Sequence, residues 1–122
     1  MSSKKVLIVD DDSRNIFALK AVLKSKGFDC LTAISGREGL KQLSEQKDIG
    51  IVLLDMMMPE MDGYETIAEI RKSERKEVPI VSVTALAMVG DREKCIEADA
   101  DAYVSKPIDI DHLTGLLKQF LQ

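Results

Sequence analysis

The sequence predicts an α/β fold, a doubly wound five-stranded parallel sheet in the order 2-1-3-4-5 with helices on both faces. Three observations predict it. Short apolar runs of strand length recur five times: Val6 to Val9, Cys30 to Ala33, Ile49 to Leu54, Ile80 to Val83 and Ala102 to Val104. Longer amphipathic stretches separate them, so the strands run parallel, because each crossover carries the chain back to the same edge. Finally, Val6-Leu7-Ile8-Val9 and Ile51-Val52-Leu53-Leu54 are apolar without alternation, as strands covered on both faces require. Right-handed crossovers arrange five such units most simply with the first strand inside the sheet, which puts the topological switch point between strands one and three.

Strand one runs into a helix over Ser13 to Lys26, where Ile16, Leu19, Ala21, Val22 and Leu23 leave room for Arg14, Lys20, Lys24 and Lys26 on the wet side. Asp12 or Ser13 supplies its N-cap oxygen, and Gly27 stands where a helix end favours a residue tolerant of positive φ. Strand two leads to the second helix, Gly36 to Gln46; Gly36 and Gly39 are too sparse for a phosphate loop and read as turn and helix-start residues. After strand three comes the helix Tyr64 to Lys72, and the charge run Ser73-Glu74-Arg75-Lys76-Glu77 reads as a solvated loop. The fourth and fifth helices are Val89 to Glu97 and Ile110 to Leu121. In the last of these Leu113, Leu117 and Phe120 form the stripe that packs on the sheet, leaving His112, Leu116 and Gln119 on a neighbouring, exposed stripe.

At 122 residues the chain has the length of one domain, so residues 1–122 are expected to share one core. A composition 45% hydrophobic and 31% charged excludes both disorder and membrane insertion. The 17 basic residues are outnumbered by 21 acidic ones, which disfavours direct nucleic-acid binding. Cys30, Cys95 and the single His112 are too few for a zinc site, so the cysteines read as reduced, semi-buried thiols and His112 as a surface residue. The apolar stretch after Lys5 is shorter than a signal-peptide core, and a cytoplasmic location is expected. The last predicted helix closes the chain, so output is expected to pass through partner binding rather than an attached DNA-binding or enzymatic domain.

Four of the five apolar runs finish on polar groups: Val9-Asp10-Asp11-Asp12, Leu54-Asp55, Val83-Thr84 and Val104-Ser105-Lys106. Parallel strands bring those ends to one edge, where α/β folds bind ligands, with Asp10, Asp11 and Asp55 flanking the switch point. Any single strand end is polar where it meets water. Three gathered carboxylates, however, repel one another and raise each other's pKa, a cost that Ser or Asn would avoid. A cation offsets it. Oxygen ligands on two strands, with room for waters and a phosphate, select Mg²⁺, with Mn²⁺ as a substitute. A carboxylate beside Lys106 and the Thr84 hydroxyl suits in-line acceptance of a phosphoryl group. No GxxxxGK[ST] or GxGxxG sequence is present, so the phosphate is expected from a partner or a small molecule. The run Met56-Met57-Met58, with Met61, reads as core or loop filling.

These residues resemble the receiver domain of two-component response regulators, chemotaxis-regulator-like, over essentially the whole chain. Ile8-Val9-Asp10-Asp11 looks like the family's acidic pair, and Leu54-Asp55 through Asp62-Gly63 like its phosphoacceptor strand and loop. Thr84-Ala85 looks like its switch threonine, and Lys106-Pro107 like its lysine with a cis peptide. The resemblance implies a flavodoxin-like (βα)5 fold with Asp55 as phosphoacceptor and Thr84 and Lys106 holding the phosphate. It makes Asp11 and Asp55 side-chain ligands of Mg²⁺, joined by the Met57 backbone carbonyl and by Asp10 directly or through water. It makes Tyr103 the aromatic switch, and the donor a sensor histidine kinase or histidine phosphotransfer protein. Output would then leave through the fourth helix, fifth strand and fifth helix (the α4-β5-α5 face), including Ala87, Met88, Tyr103 and Leu116. The protein would be a monomer or a phosphorylation-dependent dimer. Asp99 departs from the family pattern by standing where glycine is usual, which implies local strain. Two other readings stay open: a small phosphohydrolase of the haloacid-dehalogenase type using Asp10 of the Asp-x-Asp run, and a receiver-like scaffold that binds partners without phosphorylation.

Overall fold

The computed structural model describes residues 4–85 and 91–121. Strands and helices alternate as β1 (Lys5–Val9), α1 (Ser13–Ser25), β2 (Cys30–Ala33), α2 (Gly36–Glu45) and β3 (Ile49–Asp55). They continue as α3 (Gly63–Lys72), β4 (Ile80–Thr84), α4 (Asp91–Glu97), β5 (Ala102–Ser105) and α5 (Ile110–Leu121). The strands form one parallel sheet in the order β2-β1-β3-β4-β5, as the sequence predicts. Strands three, four and five each run one residue further than expected, so Asp55, Thr84 and Ser105 belong to the ladder. Of the expected fourth helix and output face, Ala87, Met88 and Val89 lie outside the described residues.

The pleat sorts the core into two layers. Val6, Ile8, Ile51, Leu53, Val81 and Val104 point to one face and meet Ile16 and Leu23 of α1 and Leu113 and Leu117 of α5. Leu7, Val9, Val52, Leu54 and Ile80 point to the other and meet α2, α3 and α4 through Leu43, Ile67, Ile70 and Cys95. Each Leu or Ile so buried stabilises the fold by about 2 kcal/mol. The unbroken apolar run Ile51 to Leu54 is therefore two alternating stripes that serve opposite layers.

Helix starts follow their caps. The Asp12 carboxylate accepts from the Arg14 amide at 2.9 Å, settling the choice between Asp12 and Ser13. Ser35 and Asp62 cap α2 and α3 by accepting from the amides of Glu38 and Glu65, at 3.1 and 2.9 Å. Gly27 has φ 94°, as a helix end requires. Gly36 has a different role from the expected turn: a Cβ there would stand 2.3 Å from Thr66 Oγ1, so its lack of a side chain lets α2 approach α3.

Two expectations need correction. The charge run is not simply a solvated loop, because Arg75 is half-buried and donates to the carbonyls of Leu43 (2.8 Å), Gln46 (3.1 Å) and Ile49. Carbonyls at the end of α2 lack partners within the helix, and a long guanidinium reaches them from another segment. Leu116 is not on an exposed face either. It is half-buried and packs with Phe120 and Leu121 against the α1–α5 layer, because it follows Leu113 by three positions and widens the apolar arc, whereas His112 and Gln119 stay exposed. Cys30 is half-buried and Cys95 fully buried, and both are free thiols. Among the described residues no helix is long and apolar enough to cross a membrane.

Candidate functional site

Register decides which side chains meet. Val9 pairs with Leu54, Asp55 with Val83 and Thr84 with Ser105, so Asp10, Asp55, Thr84 and Lys106 come to one edge beside the β1–β3 switch point. Asp10, Asp55 and Thr84 are only 8%, 5% and 3% exposed, whereas Asp11 is open to solvent. That burial argues against strand ends that are polar merely because they meet water. One carboxylate oxygen from each of Asp10, Asp11 and Asp55 lies within 4.8 Å of the others.

Lys106 Nζ stands 3.9 Å from both Asp10 Oδ2 and Asp55 Oδ1, too far for a tight pair with either and central to both. Asp10 Oδ1 accepts from the Asp12 amide at 2.9 Å, and Asp55 Oδ1 from the Met57 amide at 3.0 Å, which fixes the orientation of both carboxylates. Burial pushes the Asp55 carboxyl above the usual carboxylate range. The Met57 N–H and Lys106 pull it back down, while the charges of Asp10 and Asp11 push it further up. Three acids facing one ammonium leave an excess of negative charge, and their oxygens suit a hard divalent cation.

The methionine run divides: Met56 and Met58 are buried, and Met57 points outward at 55% exposure. Asp12 turns from the cluster to cap α1, and the neighbouring Arg14 amide holds its carboxyl below the usual range. The second acid of a hydrolase-type Asp-x-Asp pair is thereby committed elsewhere. Tyr103 is half-buried against the α2–α4 layer and pairs with Ser82, two residues further from the edge than Thr84. The Lys106-Pro107 peptide is cis, as the resemblance implies. Beside the cluster a cavity of about 270 Å³ opens between α1 and the β5–α5 segment, lined by Asn15, Leu19, Leu53, Pro107 and Ile108 with Asp10, Asp55 and Lys106 at one end.

The family model for the response regulator receiver domain matches residues 6–118. The chain belongs to that family. This receiver domain is 30% identical over 120 residues to the polar-differentiation response regulator DivK of Brucella ovis, covering 98% of this chain and 97% of DivK. It is 39% identical over 116 residues to hybrid signal transduction histidine kinase I of Dictyostelium discoideum. That match takes in 89% of this chain but only 7% of the kinase. Among solved structures it superimposes with TM-score 0.86 and 31% identity on the receiver domain of sensor histidine kinase PA1611 from Pseudomonas aeruginosa, with 98% of each chain covered. A magnesium ion is coordinated in the active-site cleft of that protein. The flavodoxin-like fold and the acidic pocket of Asp10, Asp11 and Asp55 are thus those of a two-component signalling receiver domain.

Sequence reasoning had no signal for two residues near this machinery. Glu60, in the loop after Asp55, has φ 65°, a conformation that no glycine or asparagine announces. Ser82, inside an apolar strand, is fully buried.

Proposed function

We propose that this receiver domain is a phosphorylation-dependent switch: Asp55 takes a phosphoryl group from the phosphohistidine of a sensor histidine kinase or histidine phosphotransfer protein, and the change is read by a protein partner. The observation that carries the reading is the buried Asp55 carboxylate with Lys106 Nζ at 3.9 Å, within one cluster with Asp10 and Asp11. In the transfer an Asp55 carboxylate oxygen attacks phosphorus in line, the new O–P bond forms as the P–N bond to the donor imidazole breaks, and the nitrogen keeps the electron pair. The Met57 amide holds the nucleophile in orientation. Lys106 and the Thr84 hydroxyl are placed to neutralise and hold the phosphoryl oxygens. Asp10, Asp11, Asp55 and the Met57 carbonyl would hold Mg²⁺, or Mn²⁺ in its place, which when bound neutralises charge on the transferring group. The domain catalyses only its own phosphorylation and dephosphorylation.

On this reading Thr84 is drawn toward the phosphoryl group, Tyr103 follows, and the α4-β5-α5 face gains affinity for its partner or for a second copy by a coupling of roughly 1–3 kcal/mol. Of the three residues expected on that face, Tyr103 and Leu116, both half-buried, are among the described residues, and Ala87 is not. The negative charge of the chain favours a protein over nucleic acid as the partner. A soluble domain working on kinases of this kind belongs in the cytoplasm.

Phosphotransfer profiling tests the reading. Each histidine kinase of the source organism is autophosphorylated with radiolabelled ATP and mixed with wild type and with Asp55→Asn in Mg²⁺. At least one kinase should pass its label to wild type and none to Asp55→Asn; equal labelling of the two proteins, or of neither by any kinase, would overturn it.

A further inference from the structure

Ser82 sits in the middle of β4 with 0% exposure, and its Oγ is the one buried side-chain oxygen or nitrogen among the described residues without a hydrogen-bond partner. Its surroundings give the orphan a context. Ile80 belongs to the α2–α4 layer and Val81 to the α1–α5 layer, so by alternation Ser82 points into the α2–α4 layer, as Thr84 does two residues later. Its cross-strand partners are Leu54 on β3 and Tyr103 on β5. The hydroxyl therefore lies between the residue that precedes Asp55 and the aromatic ring placed to respond to Thr84.

A buried hydroxyl that has given up water without gaining a partner destabilises the conformation that contains it, whereas alanine at the same place would carry no such penalty. A penalty confined to one of two conformations shifts the equilibrium toward the other. We propose that Ser82 is a positioning residue of the switch: its hydroxyl is unsatisfied in the resting form and gains a hydrogen bond when Thr84 and Tyr103 rearrange, biasing the domain toward signalling. The inference rests on the reading of Asp55 as phosphoacceptor. It adds a residue that touches neither phosphate nor metal.

The test uses beryllofluoride with Mg²⁺ as a phosphoryl mimic, and follows binding by tyrosine fluorescence and thermal melting. Ser82→Ala should melt higher than wild type without the mimic, and need roughly tenfold more beryllofluoride for half-saturation, because the resting form is freed of its penalty and ligand and conformation are reciprocally linked. Ser82→Cys, similar in size but weak in hydrogen bonding, should fall between the two. A resting Ser82→Ala that melts lower than wild type would show that the hydroxyl is already satisfied and would overturn the proposal. An unchanged half-saturation in Ser82→Ala, with wild type responding, would overturn it as well. Failure of wild type to respond at all would instead sink the phosphoacceptor reading and the inference with it.

Discussion

Asp55 has a raised pKa because it is buried beside two other acids. The folded chain holds this proton to higher pH than the unfolded chain does. Its contribution to stability is therefore complete below the ordinary carboxylate range and is lost as pH rises through the raised value. At neutral pH without divalent ions Asp55→Asn should therefore melt a few degrees higher than wild type, on the order of 4 °C per kcal/mol recovered. Millimolar Mg²⁺ should raise the melting temperature of wild type by relieving the same repulsion, and Asp11→Asn should largely remove that effect. A wild-type melting curve unmoved by Mg²⁺ would contradict the metal-site argument. Cys30 shows the same physics in a thiol. Burial pushes it up to about 11 from an ordinary 9.0, with Lys20 opposing and Asp29 assisting. At pH 8 its reaction with a thiolate-directed reagent should be on the order of a hundred times slower in the folded chain than in urea, following the thiolate fraction.

Two arginines tie elements together where the backbone ladder does not. Arg71, at the end of α3, donates to the carbonyls of Asp99, Lys76 and Val78 and to the Asp101 carboxylate at 2.9 Å. Asp101 in turn accepts from the Ile80 amide at 2.8 Å, which links the α4–β5 turn to the start of β4. Asp99 has φ 74° and meets Arg71 through its backbone carbonyl, so glycine there would keep the contact and lose the strain. Asp99→Gly should stabilise the fold by roughly 0.5–1 kcal/mol in urea unfolding. Arg75→Ala strips donors from three carbonyls and should cost about 2–3 kcal/mol, with Arg75→Lys recovering only part because an ammonium lacks the guanidinium fork.

For the whole molecule, strand order and site were legible because both follow from short-range pattern. Apolar runs of two-sided strands set the alternation, parallel pairing puts their last residues together, and the polar residues at those ends are the ones gathered at the pocket. Asp99 was legible too, since the resemblance marked its place as one for glycine. The roles of Arg71 and Arg75 were not, because a long side chain reaching a carbonyl 26 or more positions away leaves no periodic trace. Leu116 was misplaced for a related reason, since helical phase locates a stripe but not the width of the surface that covers it. Ser82 was hidden by its neighbours, being one polar residue in a strand whose fit to the sheet does not depend on it. The central claim, that this arrangement makes Asp55 a nucleophile toward phosphorus, is tested most directly by peptide mass mapping after incubation with acetyl phosphate and Mg²⁺. A single phosphoryl group on Asp55, absent from Asp55→Asn, is the predicted result; a phosphoryl group on Asp10, or none on any residue, would contradict it.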